Sequence, residues 1–171
     1  MLRFVNAVEL AVQERNWFAA LVCALALPDI CGWLEKPTQP TGARFMDWCQ
    51  RFLVPRYTHP VGVESKPHVF LSADDCYALR CAVLHEGSDN TTRQRARRAL
   101  ERFIFVEPPT TGMIHCNQVN KALQLQVDVF CSDICDGVRD WERSVLIGSP
   151  EVQGRLTELA TIRPVGSGLL F

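Results

Sequence analysis

Arg80 and His85 are the two residues whose types and spacing could do chemistry together. An imidazole that titrates near neutrality can take a proton from a ribose 2′-hydroxyl. A guanidinium beside it can hold the scissile phosphate and stabilise charge on its oxygens. Together they are the minimal equipment for metal-independent RNA cleavage by internal transesterification. The plainer reading makes Arg80 a core residue paired to a carboxylate and His85 a helix-terminal histidine favoured by the macrodipole.

Both lie in SADDCYALRCAVLHEGS, Ser72 to Ser88, which reads as a helix. Ser72 with Asp75 forms a capping box that has aspartate in place of the usual glutamate, and Gly87 is placed to close the helix. At about 100° per residue, Ala73, Cys76, Tyr77, Leu79, Val83 and Leu84 fall on one side. Arg80 sits in the middle of that apolar side, where an unpaired charge is very costly. It therefore needs a carboxylate, or this face lines a cleft or subunit interface. Asp29, directly after Pro28 in an apolar helix, is a candidate partner; the alternative is a solvent-facing aspartate at a kink. Five residues on an ideal helix set Arg80 and His85 about 140° apart. One copy then makes a poor pocket unless the helix unwinds at His85, and a symmetric dimer would bring two copies together. Tyr77 and Glu86 stand as supporting residues.

A second feature follows closely: Arg93, Arg95, Arg97, Arg98 and Arg102. Read as a helix over Thr92–Phe103, they occupy the arc that Ala96, Ala99, Leu100 and Phe103 leave free. Arg95, Arg98 and Arg102 would then track phosphates; the alternative is a solvated face partly offset by Glu101. His115-Cys116 and Cys131-x3-Cys135 supply zinc-type ligands without a C-x2-C or paired-histidine spacing, so no metal is assigned. Neither a phosphate-binding glycine loop nor a serine-nucleophile signature occurs, and no cofactor is expected.

The net charge of −1 gives no global attraction to a polyanion, so any such contact needs a local patch. The 171 residues suffice for one domain with a substantial core. The eight cysteines mostly fall in apolar runs, and Met1 to Gln13 contains Glu9 and lacks the pattern of a secretory leader. Reduced thiols in a cytoplasmic protein are expected. Trp17 to Leu34 is barely long enough to span a membrane and is interrupted by Pro28-Asp29; a buried core helix is expected, kinked or broken at Pro28.

Helical spacing recurs over Leu2–Glu14, in the helix capped by Asn16, through Phe45, Trp48, Cys49 and Phe52, over Phe130–Leu146 and over Glu151–Ala160. Pro55 to Pro67 reads as loop. FIFVEPP, GMIHC and ALQLQVDV read as strands. The expectation is a single, mainly α domain over 1–171: an antiparallel helical bundle with a small antiparallel β insert at about 103–129 and a tail at about 161–171.

The context LSADDCYALRCAVLHEGS resembles the motif helix of the HEPN superfamily (higher eukaryotes and prokaryotes nucleotide-binding), small helical bundles whose ribonuclease members carry R-x4-6-H. The surroundings LALPDICGWLE, FMDWCQRF and FCSDICDGVRDW are similar to a compact bacterial HEPN-like protein, over about Leu2–Leu146. The resemblance implies catalytic roles for Arg80 and His85, a homodimer with both motifs facing one cleft, and RNA as substrate. By extension from the superfamily, it implies a toxin or phage-defence setting with a regulatory or antitoxin partner, and no membrane. Cys81 stands where many active members carry a polar residue. The resemblance therefore also covers a non-catalytic dimeric module that binds RNA, a nucleotide or a partner protein.

Overall fold

A computed structural model of the chain describes residues 1–162, with six α-helices and five short strands among them. Asn16 accepts from the Ala19 N–H (3.3 Å) and opens α2, Trp17–Glu35. This helix is apolar on all sides, and most of its length is covered by neighbouring helices, while Phe18, Val22 and Cys23 near its start stay exposed. It packs against α1 (Leu2–Gln13), α3 (Thr41–Phe52) and α5 (Val127–Trp141). By length and composition α2 could cross a membrane, but Ala20, Ala24, Leu25, Leu27, Cys31 and Leu34 are buried in the core. Pro28 does not break it: the helix runs through to Glu35. One missing backbone donor is outweighed by packing on three neighbours. Trp48, Trp141, Tyr57, Phe45, Phe103 and Phe130 are the largest fully buried side chains.

The mainly α character holds, and the β elements differ from expectation in four ways. The Pro55–Pro67 segment is not simply loop. It contains a 3-10 turn, Val54–Tyr57, and most of a hairpin between β1 (Thr58–Val61) and β2 (Lys66–Val69), with Pro60 opposite Pro67. Two facing prolines are tolerated because this two-stranded ribbon has only edges. The insert at 103–129 is mixed rather than antiparallel, in the order β3-β5-β4. β3 (Arg102–Val106) runs parallel to β5 (Ala122–Gln126), and β4 (Asn117–Val119) antiparallel to it. GMIHC is not a strand; pairing begins only at Asn117, and Asn120 turns the chain with φ of 54°. The alternation ending in Val127 and Val129 stops early, because Gln126 is already the N-cap of α5.

The segment Thr92–Phe103 is not a helix. It is a series of turns leading into β3. As a helix it would stack Arg93 on Arg97, Arg95 on Arg98 and Arg98 on Arg102, like charges three or four apart. Its backbone finds other partners. Thr91 N–H bonds the Glu101 carbonyl (2.9 Å), the Thr91 hydroxyl donates to the Leu100 carbonyl (2.9 Å), and Asn90 Oδ1 accepts from Thr92 N–H (2.9 Å). The last long helix passes from α5 into a π-turn at Glu142–Leu146, and α6 covers Pro150–Arg155 with a 3-10 turn after it. The expected tail lies outside the described residues from 163 onward.

Candidate functional site

The motif segment forms α4, Ala73–Cys81, followed by a π-turn at Ala82–Glu86. Ser72 caps it as expected, accepting from the Asp75 N–H (3.1 Å), and Gly87 ends it in the left-handed region at φ 62°. The Gly87 N–H reaches the Ala82 carbonyl, five residues back, and Ser88 N–H reaches the same carbonyl (3.1 Å). A π-turn adds one residue to a turn. Residue i+5 therefore arrives where i+4 stands on an α-helix, on the same face as residue i.

That added residue brings Arg80 and His85 together. Arg80 Nη1 lies 2.8 Å from His85 Nε2 within one chain. A guanidinium has no acceptor, so Nε2 accepts and the ring proton sits on Nδ1. The imidazole is exposed, whereas the Arg80 side chain is only 15% exposed. On its other edge, Arg80 Nε donates to Asp29 Oδ2 (2.7 Å), and Nη2 lies 2.7 Å from the same oxygen in an ion pair. Burial lowers the Arg80 pKa, but the Asp29 charge and hydrogen bond outweigh it and leave the guanidinium above its ordinary value. Burial pushes the Asp29 carboxyl up by more than Arg80, Arg44 and His85 pull it down. The pair thus costs desolvation, and its service is orientation: it fixes the plane of the guanidinium with Nη1 turned to His85.

Asp29 Oδ1 and Arg44 Nε are buried without a hydrogen-bond partner among the described residues. Arg44 had no signal in the sequence beyond its place on α3. Tyr77 packs against α3: a Cβ on Gly42 would stand 3.1 Å from its ring, and its ring centroid is 5.4 Å from that of Phe45. Burial, then the neighbouring Cys81 thiol, raises its phenol pKa. Glu86 turns toward the arginine loop and accepts from Gln94 Nε2 (2.8 Å). With Ser88, Asn90, Thr92 and Arg93 it lines a cavity of about 370 Å³.

The arginine loop is held by a residue that the sequence shows only as a cap. Asp75 is 2% exposed. Its Oδ2 accepts from the Ser72 hydroxyl (2.7 Å), and its Oδ1 accepts from the N–H groups of Arg98 (2.8 Å), Ala99 (3.0 Å) and Leu100 (3.1 Å). The loop is therefore tied to the first turn of the motif helix. Arg93, Arg95 and Arg98 are exposed and enter no ion pair among the described residues. Arg97 pairs with Glu101 (3.4 Å) and Arg102 with Asp89 (3.7 Å).

Away from this face, Tyr57 donates to Asp133 Oδ2 (3.0 Å), and His115 Nε2 lies 3.9 Å from the same oxygen. Burial lowers the His115 pKa and raises those of Asp133 and Tyr57. The backbone N–H of Gln126 donates to His115 Nδ1 (3.2 Å), so this cluster fastens the 107–116 connection to α5. All eight cysteines are free thiols. Burial pushes Cys116 up to about 11 and Cys135 to about 12, and Cys131 further in the same direction. Among the described residues, no three His, Cys, Asp or Glu side chains converge as a metal set. No family model matches this chain, and neither the curated proteins nor the solved structures hold a match to it.

Proposed function

We propose that this protein is a HEPN-type, metal-independent RNA endonuclease whose site is Arg80, His85 and Asp29. The observation that carries the reading is the 2.8 Å approach of Arg80 Nη1 to the exposed His85 Nε2, with Asp29 holding the other guanidinium edge. A substrate phosphate that takes the Nη1 hydrogen bond frees Nε2 as a base. His85 then removes the 2′-hydroxyl proton, and the 2′-oxygen attacks phosphorus. The bond to the 5′-oxygen breaks, water protonates that oxygen, and the products end in a 2′,3′-cyclic phosphate and a 5′-hydroxyl. Arg80 stabilises the charge that gathers on the phosphoryl oxygens. Because the pair meets within one chain, the argument that one subunit is incomplete no longer applies. The homodimer, the regulatory partner and the toxin or defence setting rest on the resemblance alone.

A specific observation favours a second reading, a non-catalytic RNA- or partner-binding module. Arg80 already occupies the nitrogen a base would use, and Cys81 follows it. Purified protein incubated with mixed RNA in EDTA separates the two. Cleavage that survives chelation and falls by at least about a hundred-fold in both His85→Ala and Arg80→Ala supports the nuclease. Salt-sensitive RNA binding without cleavage moves the assignment to the module, and neither activity removes both.

A further inference from the structure

We propose that the apolar groove beside the motif holds one unstacked base of a single-stranded RNA, next to the phosphate handled by Arg80 and His85; this rests on the reading of that pair as acting on RNA. The groove has a volume of about 660 Å³ and runs between the N-terminal half of α2, the π-turn and β3. Trp17, Phe18, Val22, Val83 and Phe105 supply its apolar wall. On α2, Phe18 is 85% exposed and Val22 43%.

Position on α2 links these side chains to the site. At about 100° per residue, Phe18 and Val22 lie within about 20° of Asp29 on the helix face. They stand roughly 10–17 Å along the axis from the carboxylate that orients Arg80. One stripe thus carries an aromatic platform at one end and the Arg80 anchor at the other.

The rim and the cavity beside it argue for the occupant. The rim holds Ser88, Asp89 and Glu107, and the two carboxylates are partly offset by Arg102 (3.7 Å) and Arg15 (3.1 Å). Ser88 also lines the neighbouring cavity with Arg93, where the loop with exposed Arg95 and Arg98 begins. An apolar wall, hydrogen-bonding acceptors at the rim and, in the neighbouring cavity, Arg93, which enters no ion pair among the described residues, complement a base, its edge and a phosphate in turn. A second copy of this chain would have to bury Asp89 and Glu107 with the groove, at a desolvation cost. Duplex RNA keeps its bases stacked and presents none to the wall.

Short labelled oligonucleotides, single-stranded and duplex, test this with wild type, Phe18→Ala and Phe18→Trp. Phe18 is exposed enough that both variants should keep the wild-type melting temperature. Phe18→Ala should weaken single-strand binding about 5- to 150-fold, the span of base–aromatic stacking, and Phe18→Trp should preserve it. In cleavage the loss should appear in KM more than in kcat, with duplex affinity unchanged. An abasic nucleotide beside the cleaved bond should reproduce the loss in wild type and add nothing in Phe18→Ala. Cleavage and binding that Phe18→Ala leaves unchanged would overturn this inference and spare the nuclease reading. A wild-type dimer in sedimentation that Phe18→Ala dissociates would give the groove to a second copy instead. Wild type that neither binds nor cleaves RNA would overturn both.

Discussion

Asp75→Ala should cost about 3–5 kcal/mol of folding free energy, a fifth or more of the ~5–15 kcal/mol a domain of this kind has. The carboxylate is buried and accepts from three consecutive backbone N–H groups, at Arg98, Ala99 and Leu100, and from the Ser72 hydroxyl. Hydrogen bonds to a charged acceptor are worth more than neutral ones, and each donor left unpaired inside costs its own desolvation. The loop can recover part of this by turning Arg98 and Ala99 to water; Leu100 cannot, because its side chain is buried in the core. Asp75→Asn keeps one acceptor oxygen and should lose about half as much. Urea unfolding gives the energy, and amide exchange should show lost protection at residues 98–100 in both variants. An Asp75→Ala protein of wild-type stability with those amides still protected would refute the tether.

The second large effect is at Asp29. Asp29→Ala leaves the largely buried Arg80 guanidinium without its carboxylate, and should destabilise by about 2–3 kcal/mol, below the cost at a fully buried pair because both side chains keep some exposure. Asp29→Leu combined with Arg80→Met removes both charges and should recover most of that loss, since a partly buried ion pair gives back little more than its desolvation. The RNA cleavage proposed for this site separates from stability here: the double variant should fold well and show no such cleavage. If the double variant is as unstable as the sum of the single losses, Asp29 and Arg80 are not a coupled pair.

The termini of the motif helix were legible in the sequence because they depend on local chemistry. Ser72 caps through its own hydroxyl, and Gly87 supplies the positive φ that other residues resist. The Asp29–Arg80 contact was legible in part: Arg80, a charge on an apolar face, needed a carboxylate, while Asp29 read equally as its partner or as a solvent-facing aspartate at a kink. The π-turn was not. Leu79, Val83 and Leu84 fit ordinary α spacing, and nothing local signals the extra residue that turns His85 onto Arg80. The arginine segment misled because Ala96, Ala99, Leu100 and Phe103 do recur at helical intervals. What overrides that pattern is a carboxylate about two dozen residues earlier, together with repulsion between stacked arginines. The β1–β2 hairpin hid behind its prolines, and the parallel β3–β5 pairing depends on contacts that no local pattern encodes.

A single chain seats His85 on Arg80, with Nε2 as acceptor and the ring proton on Nδ1. Long-range proton–nitrogen NMR of the histidine rings, with His85→Ala to identify the signal, reads that tautomer directly. In wild type with the ring neutral, His85 should show a protonated Nδ1 and an accepting Nε2, and Arg80→Met should abolish the preference. A His85 ring protonated on Nε2 in wild type, or signals that Arg80→Met leaves unchanged, would contradict the account.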